Sequence, residues 1–85
     1  MSHEAKRKLE RGAKFPYDAP DSWWRDDGES PPAATDWAHA AARGILADLK
    51  GRSGVDDALQ NVDEETRMEI VQSIADIIRT AQSET

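Results

Sequence analysis

DEETRMEIVQSIADIIRTAQ, residues 63–82, is the stretch that decides the fold. Its apolar residues recur at helical spacing, which predicts one long helix over 63–82. Asp63 is placed to cap it, Glu64 and Glu65 complement its positive end, and Arg79 sits towards its negative end. Val71, Ile74, Ile78 and Ala81 follow an a/d seam, with Ile70 and Ile77 in a second row and Met68 and Ala75 completing the apolar set. A simple two-helix contact needs only the narrow seam, whereas this helix is apolar over about half its circumference. Burying one such side chain contributes roughly 1.5–3 kcal/mol, so both rows call for a partner.

The first partner lies upstream. Thr35 or Asp36 starts a helix over 36–50 that Lys50-Gly51 ends. Trp37, Ala41, Ile45 and Leu49 repeat at four, with Ala38, Ala42 and Leu46 beside them. Gly44 follows three alanines in a helix interior, where glycine costs up to ~1 kcal/mol, and implies that another helix approaches closely. In the connection over 51–61, GRSG reads as a turn and VDDALQN as one helical turn with Val55 and Leu59 inward. The alanine-rich helix can cover one side of the long helix only. The second row is expected to pack on the aromatic arm of the same chain and on the same surface of another copy, giving a homo-oligomer.

The remaining segment, 1–36, contrasts with this helical unit of 37–85. Residues 3–11 predict a short helix ending at Gly12, with Ala5 and Leu9 as a docking pair. Residues 13–36 read as an irregular arm broken by Pro16, Pro20, Pro31 and Pro32. The arm holds Phe15, Tyr17, Trp23 and Trp24, four of the five aromatic residues, so Phe15 to Trp24 is expected to be ordered by packing. RDDGESPPAA, residues 25–34, is expected to be the mobile stretch. The fold class is therefore all-α: an antiparallel two-helix hairpin with a short N-terminal helix and an aromatic, proline-rich arm, oligomeric.

Eighty-five residues, 38% apolar and 33% charged, can bury only a thin core. The lack of cysteine excludes disulfides and thiolate metal sites. No apolar run reaches membrane-span length, and no hydrophobic stretch follows the basic start, so a soluble cytoplasmic protein is expected. The net charge of -6 is uneven: residues 1–14 carry five bases against Glu4 and Glu10, while the rest is acidic. An acidic total disfavours nucleic-acid binding. The basic head alone suits a phosphate or an acidic partner, or is a solvated helical turn.

Catalytic signals are weak. His3 and His39 are the only histidines, and no His-x-x-x-His or Glu-x-x-His spacing exists. His39 and Arg43 are helical neighbours and read as a surface or ligand edge. Asp26-Asp27-Gly28-Glu29 lacks the alternation of a calcium loop, and Gly51-Arg52-Ser53-Gly54 matches only a bare G-x-x-G. No metal, no cofactor and no enzyme activity are expected. The informative stretch is Lys14-Phe15-Pro16-Tyr17-Asp18-Ala19-Pro20-Asp21-Ser22-Trp23-Trp24-Arg25. Rings flanked by cations suit a flat anionic ligand, because bases stack on rings and phosphates pair with Lys or Arg. Lys14, Phe15, Tyr17, Trp23, Trp24 and Arg25 are candidate ligand residues on that ground; the alternative is that the rings cap the helical core.

Two resemblances add to this reading. Asp36-Trp37-Ala38, Ala41-Ala42-Arg43-Gly44-Ile45, Val62-Asp63-Glu64, Arg67-x-Glu69-Ile70-Val71 and Ile74-Ala75-x-Ile77-Ile78-Arg79 resemble small proteins encoded by tailed phages. Phe15-x-Tyr17-x-x-Pro20, followed by two helices with Thr66-Arg67 at the start of the second, is similar to the phage hairpin sponges of cyclic nucleotide immune signals, the anti-CBASS and anti-Thoeris hairpin family. Extra residues from Trp23 onward and the absence of that family's Leu-Glu-Glu and Trp-Ala-Asn segments set this chain apart. The resemblance implies an oligomer that holds its signal between subunits without cleaving it. It implies that Tyr17 stacks a base and Arg67 meets phosphate; on so acidic a chain, such binding also needs Lys14, Arg25, Arg43 and Arg67 to converge locally.

The function expected first is a non-enzymatic phage counter-defence protein that sequesters a cyclic nucleotide or ADP-ribose-type signal. The alternatives are an acidic inhibitor of a host defence complex, in the manner of an anti-CRISPR, and a phage accessory protein docking on a larger protein. The expected partners are the chain itself and one of these targets, with no membrane and no direct nucleic acid.

Overall fold

The computed structural model describes residues 3–26 and 30–84, and every described element is helical. The elements are α1 (His3–Lys14), α2 (Asp21–Arg25), α3 (Trp37–Lys50), α4 (Val55–Gln60) and α5 (Glu64–Ser83). The helix α3 is the central element, with α1 and α5 packed on it and α4 against its end.

Local chemistry sets the ends of α3. The Asp36 side chain accepts the His39 amide at 2.9 Å, and Gly51 closes the helix through its own amide. Asp36, not Thr35, is the cap. The core row along α3 is Ala38, Ala42 and Leu46, which meets Val71 and Ala75 of α5 and Tyr17 of the arm. The face is rotated from the row read in the sequence: Trp37 and Ile45 are exposed, while His39 and Arg43, expected at a surface edge, are buried. Small side chains along the core row let α5 approach, and the larger Trp37 and Ile45 fall outside that contact.

The helix α1 runs through Gly12 to Lys14 and does not end at Gly12. Gly12 is a packing residue: a Cβ there would lie 2.5 Å from the Arg43 carbonyl carbon and 2.7 Å from the Gly44 nitrogen. Across the crossing, a Cβ at Gly44 would meet Leu9 Cδ2 at 3.1 Å. The close approach implied by Gly44 is real, and the approaching helix is α1.

The expected ordering of Phe15 to Trp24 by packing is seen in the middle of that stretch and not at Phe15, which is 51% exposed. Pro16, Tyr17 and Ala19 are buried, and the short α2 follows Pro20. Of the stretch expected to be mobile, residues 27–29 lie outside the described residues. Pro32 in its second half accepts a hydrogen bond from Arg43 Nη1 at 2.9 Å.

One edge of the α3–α5 seam is polar. His39 Nε2 lies 3.2 Å from Gln72 Oε1, His39 Nδ1 lies 2.9 Å from Asp36 Oδ1, and Arg79 Nη1 donates to Asp36 Oδ2. Ile45 lines a groove between α1 and α3 with Leu9, Ala41 and Gly44, and Ile77 lines a separate groove along α5 with Met68, Gln72 and Asp76. Both surfaces are open: Ile77 is 65% exposed and Ile45 43%, and Trp37, about 180° around α3 from the core residue Leu46, is 55% exposed. The arm therefore does not cover the outer part of the second isoleucine row.

Candidate functional site

The eight residues singled out as ligand-binding fall in three places. Tyr17, Trp24 and Arg67 line one small cleft, of about 200 Å³, with Asp21, Lys50 and Leu59. Lys50 was read in the sequence only as a helix stop. Its Nζ stands 5.9 Å from the centroids of both the Tyr17 and the Trp24 ring, a cation shared by two aromatic faces. Trp23 packs edge-on to Trp24 with centroids 4.8 Å apart, and its indole donates to the Ser30 carbonyl at 3.1 Å. Arg25 is exposed at the end of α2.

The two residues that the hairpin-sponge resemblance assigns to ligand are engaged inside the chain. Tyr17 is 4% exposed, and its hydroxyl donates to the Leu59 carbonyl at 2.9 Å. Burial raises its pKa above the ordinary 10.0, with the Arg67 charge acting in the opposite sense. Arg67 donates from Nε to Tyr17 O at 3.1 Å, from Nη1 to Val62 O at 2.7 Å, and from Nη2 to Ala19 O and to Asp21 Oδ1 at 2.6 Å. It thus ties the turn of the arm to the start of α5. Of this trio, the Trp24 ring is the one with substantial exposure.

Arg43 occupies a second place. It is 5% exposed, with Nε donating to Asp18 Oδ1 at 2.6 Å. Its carboxylate partner comes from the arm, 25 residues earlier. A buried charge with a direct ion pair and a backbone acceptor is fully accommodated, so this cation locks the arm onto α3.

Lys14 and Phe15 occupy a third place, at the end of α1. Phe15 is 51% exposed, and Lys14 Nζ stands 5.7 Å from its ring centroid. They line a groove of about 680 Å³ with Arg7, Arg11, Lys8 and Arg52. Lys8 and Arg52 both pair with Asp48, and these cations hold the Asp48 carboxyl below the usual carboxylate range, Arg52 more strongly. The sequence signal for this groove was the basic head, Lys6 to Lys14.

Among the described residues, no group of three or more His, Asp or Glu side chains is placed to hold a metal ion. No described helix is long and apolar enough to cross a membrane. Comparison with protein-family models, with curated proteins and with solved structures finds no match to this chain.

Proposed function

We propose that the protein acts without catalysis, as an interaction protein that shares the exposed apolar side chains of α3 and α5 with another polypeptide, a second copy of the chain being the simplest occupant. The observation that carries this reading is the exposure of Trp37, Ile45, Met68 and Ile77, large apolar side chains left 43–65% exposed on α3 and α5. A domain this small gains stability by burying such side chains, and self-association is one way to bury them. Sedimentation equilibrium over a wide concentration range tests it. The expected result is a mass above the 9.4 kDa of one chain, returned to that value by Ile45→Glu combined with Ile77→Glu, with helicity retained. A wild-type mass of one chain at every concentration refutes it.

A second reading is favoured by a separate observation, the Trp24 ring standing beside Lys50 in the cleft. In this reading the oligomer sequesters a nucleotide signal without cleaving it, as the hairpin-sponge resemblance implies. With Tyr17 and Arg67 engaged internally, stacking would fall to Trp24 and phosphate contact to Lys50. Calorimetry against cyclic di- and trinucleotides and ADP-ribose derivatives tests it, and silence across the panel ends it.

A further inference from the structure

We propose that the groove between α1 and the α3–α4 turn is a binding site for a nucleoside polyphosphate, with phosphates on Arg7, Arg11 and Lys14 and the base on Phe15. The proposal depends neither on self-association nor on the Trp24 cleft. Arg7, Arg11 and Lys14 follow one another at i, i+4 and i+7, so they share a face of α1 in a row about 10 Å long. All three are exposed, and none forms an ion pair among the described residues. The nearby acid Asp48 is already taken by Lys8 and Arg52. Glu4 and Glu10 line the groove as well, so it holds five cations against three carboxylates and keeps a positive excess on a chain whose net charge is -6.

The ring selects among anions. An acidic peptide would use the cations and leave Phe15 wet. A base can stack on the exposed half of the ring, and every base has a face to offer. Lys14 Nζ stands over one face of the Phe15 ring, 5.7 Å from its centroid, which leaves the other face for a base and the ammonium beside it for a phosphate. Three cations in line then meet successive phosphates through charge-assisted hydrogen bonds. The groove volume of about 680 Å³ lies within the usual range of small-molecule sites.

The test is titration of the full chain with ATP, with inorganic tripolyphosphate and with adenosine, followed by amide shifts and calorimetry. ATP is expected to shift amides of residues 7–15 and to bind more tightly than either fragment. Phe15→Ala should weaken ATP about tenfold and leave tripolyphosphate unchanged, since one stacked base contributes roughly 1–3 kcal/mol. Arg7→Gln combined with Arg11→Gln should weaken both phosphorylated probes by about tenfold or more, with helicity intact because these side chains are exposed. Trp24→Ala should change nothing. Absence of ATP binding overturns the proposal. Equal affinity for tripolyphosphate and ATP with no effect of Phe15→Ala overturns it too, as does loss of ATP binding in Trp24→Ala.

Discussion

Replacing Gly12 with alanine should separate α1 from α3. An added Cβ would lie 2.5 Å from the carbonyl carbon of Arg43, 2.6 Å from its oxygen and 2.7 Å from the nitrogen of Gly44. Ordinary contact between carbon atoms is about 3.5–4.0 Å, so the crossing must open by roughly 1 Å. All three atoms belong to the backbone of the central helix and cannot swing aside. Overpacking of this kind costs about 1–3 kcal/mol. A gap of that size also forfeits a quarter to a half of the dispersion well of neighbouring contacts such as Leu9 on Gly44. Alanine in a helix interior returns about 1 kcal/mol over glycine, which leaves a net loss of about 0–2 kcal/mol that the forfeited dispersion deepens. Gly44→Ala is the matched comparison. Its Cβ would meet Leu9 Cδ2 at 3.1 Å, the end of a flexible side chain, and the Leu9 backbone at 3.3 Å, so adjustment of a few tenths of an ångström offsets the propensity gain. Urea unfolding followed by far-ultraviolet dichroism, with hydrogen exchange of the α1 amides, reads both variants. If Gly12→Ala is as stable as the wild type or more so, α1 does not cross α3 at this point and the packing argument fails.

Two further outcomes follow from the polar contacts. Arg67→Ala should release the arm and lower stability by about 2–4 kcal/mol, because it strips partners from three carbonyls and one carboxylate around a side chain only 12% exposed; Trp23 and Trp24 fluorescence should shift, and unchanged fluorescence with unchanged stability would contradict it. Asp36 is held below the usual carboxylate range first by its hydrogen bonds with His39 and then by Arg79, so its folded pKa is depressed. Its contribution is therefore present above the ordinary carboxylate pKa and lost as pH falls through the depressed value. Asp36→Asn should flatten part of the acid limb of a plot of urea midpoint against pH, and an acid limb of unchanged shape would show that this carboxylate is not coupled to folding.

The boundaries of α3 and α5 were legible because caps and hydrophobic periodicity speak locally. Asp36 before an alanine-rich run, Gly51 after Lys50, and Asp63 before two glutamates each announce themselves within four residues. Gly12 misled for the same reason: as a local signal it reads as a stop, and only the presence of Arg43 and Gly44 across the crossing explains it as a contact. The orientation of α3 was ambiguous because alanine fits either face of a helix. The deciding partners, Asp18 for Arg43 and Gln72 for His39, lie 25 and 33 residues away and leave no periodic trace. For the candidate ligand residues, the sequence marked cations and rings without their positions in the fold. Cations and rings were visible as a cluster, but which were consumed by folding depended on carbonyls such as Tyr17 O, Ala19 O and Leu59 O, which every residue carries.

That division has a physical logic. An arm interrupted by prolines makes few backbone hydrogen bonds of its own, so its buried carbonyls need donors from elsewhere. A single arginine supplies several donors in a fixed fork, and Arg67 and Arg43 meet the arm from α5 and α3 respectively. Apolar side chains at these positions would bury area yet leave those carbonyls unpaired, at about 1–3 kcal/mol each. Arg67, which the resemblance assigns to phosphate, and Arg43, read as a surface or ligand edge, are thus the ones the fold can least release. Arg7, Arg11 and Lys14, by contrast, form no ion pair among the described residues and stand on α1, where the helix pairs its own interior carbonyls.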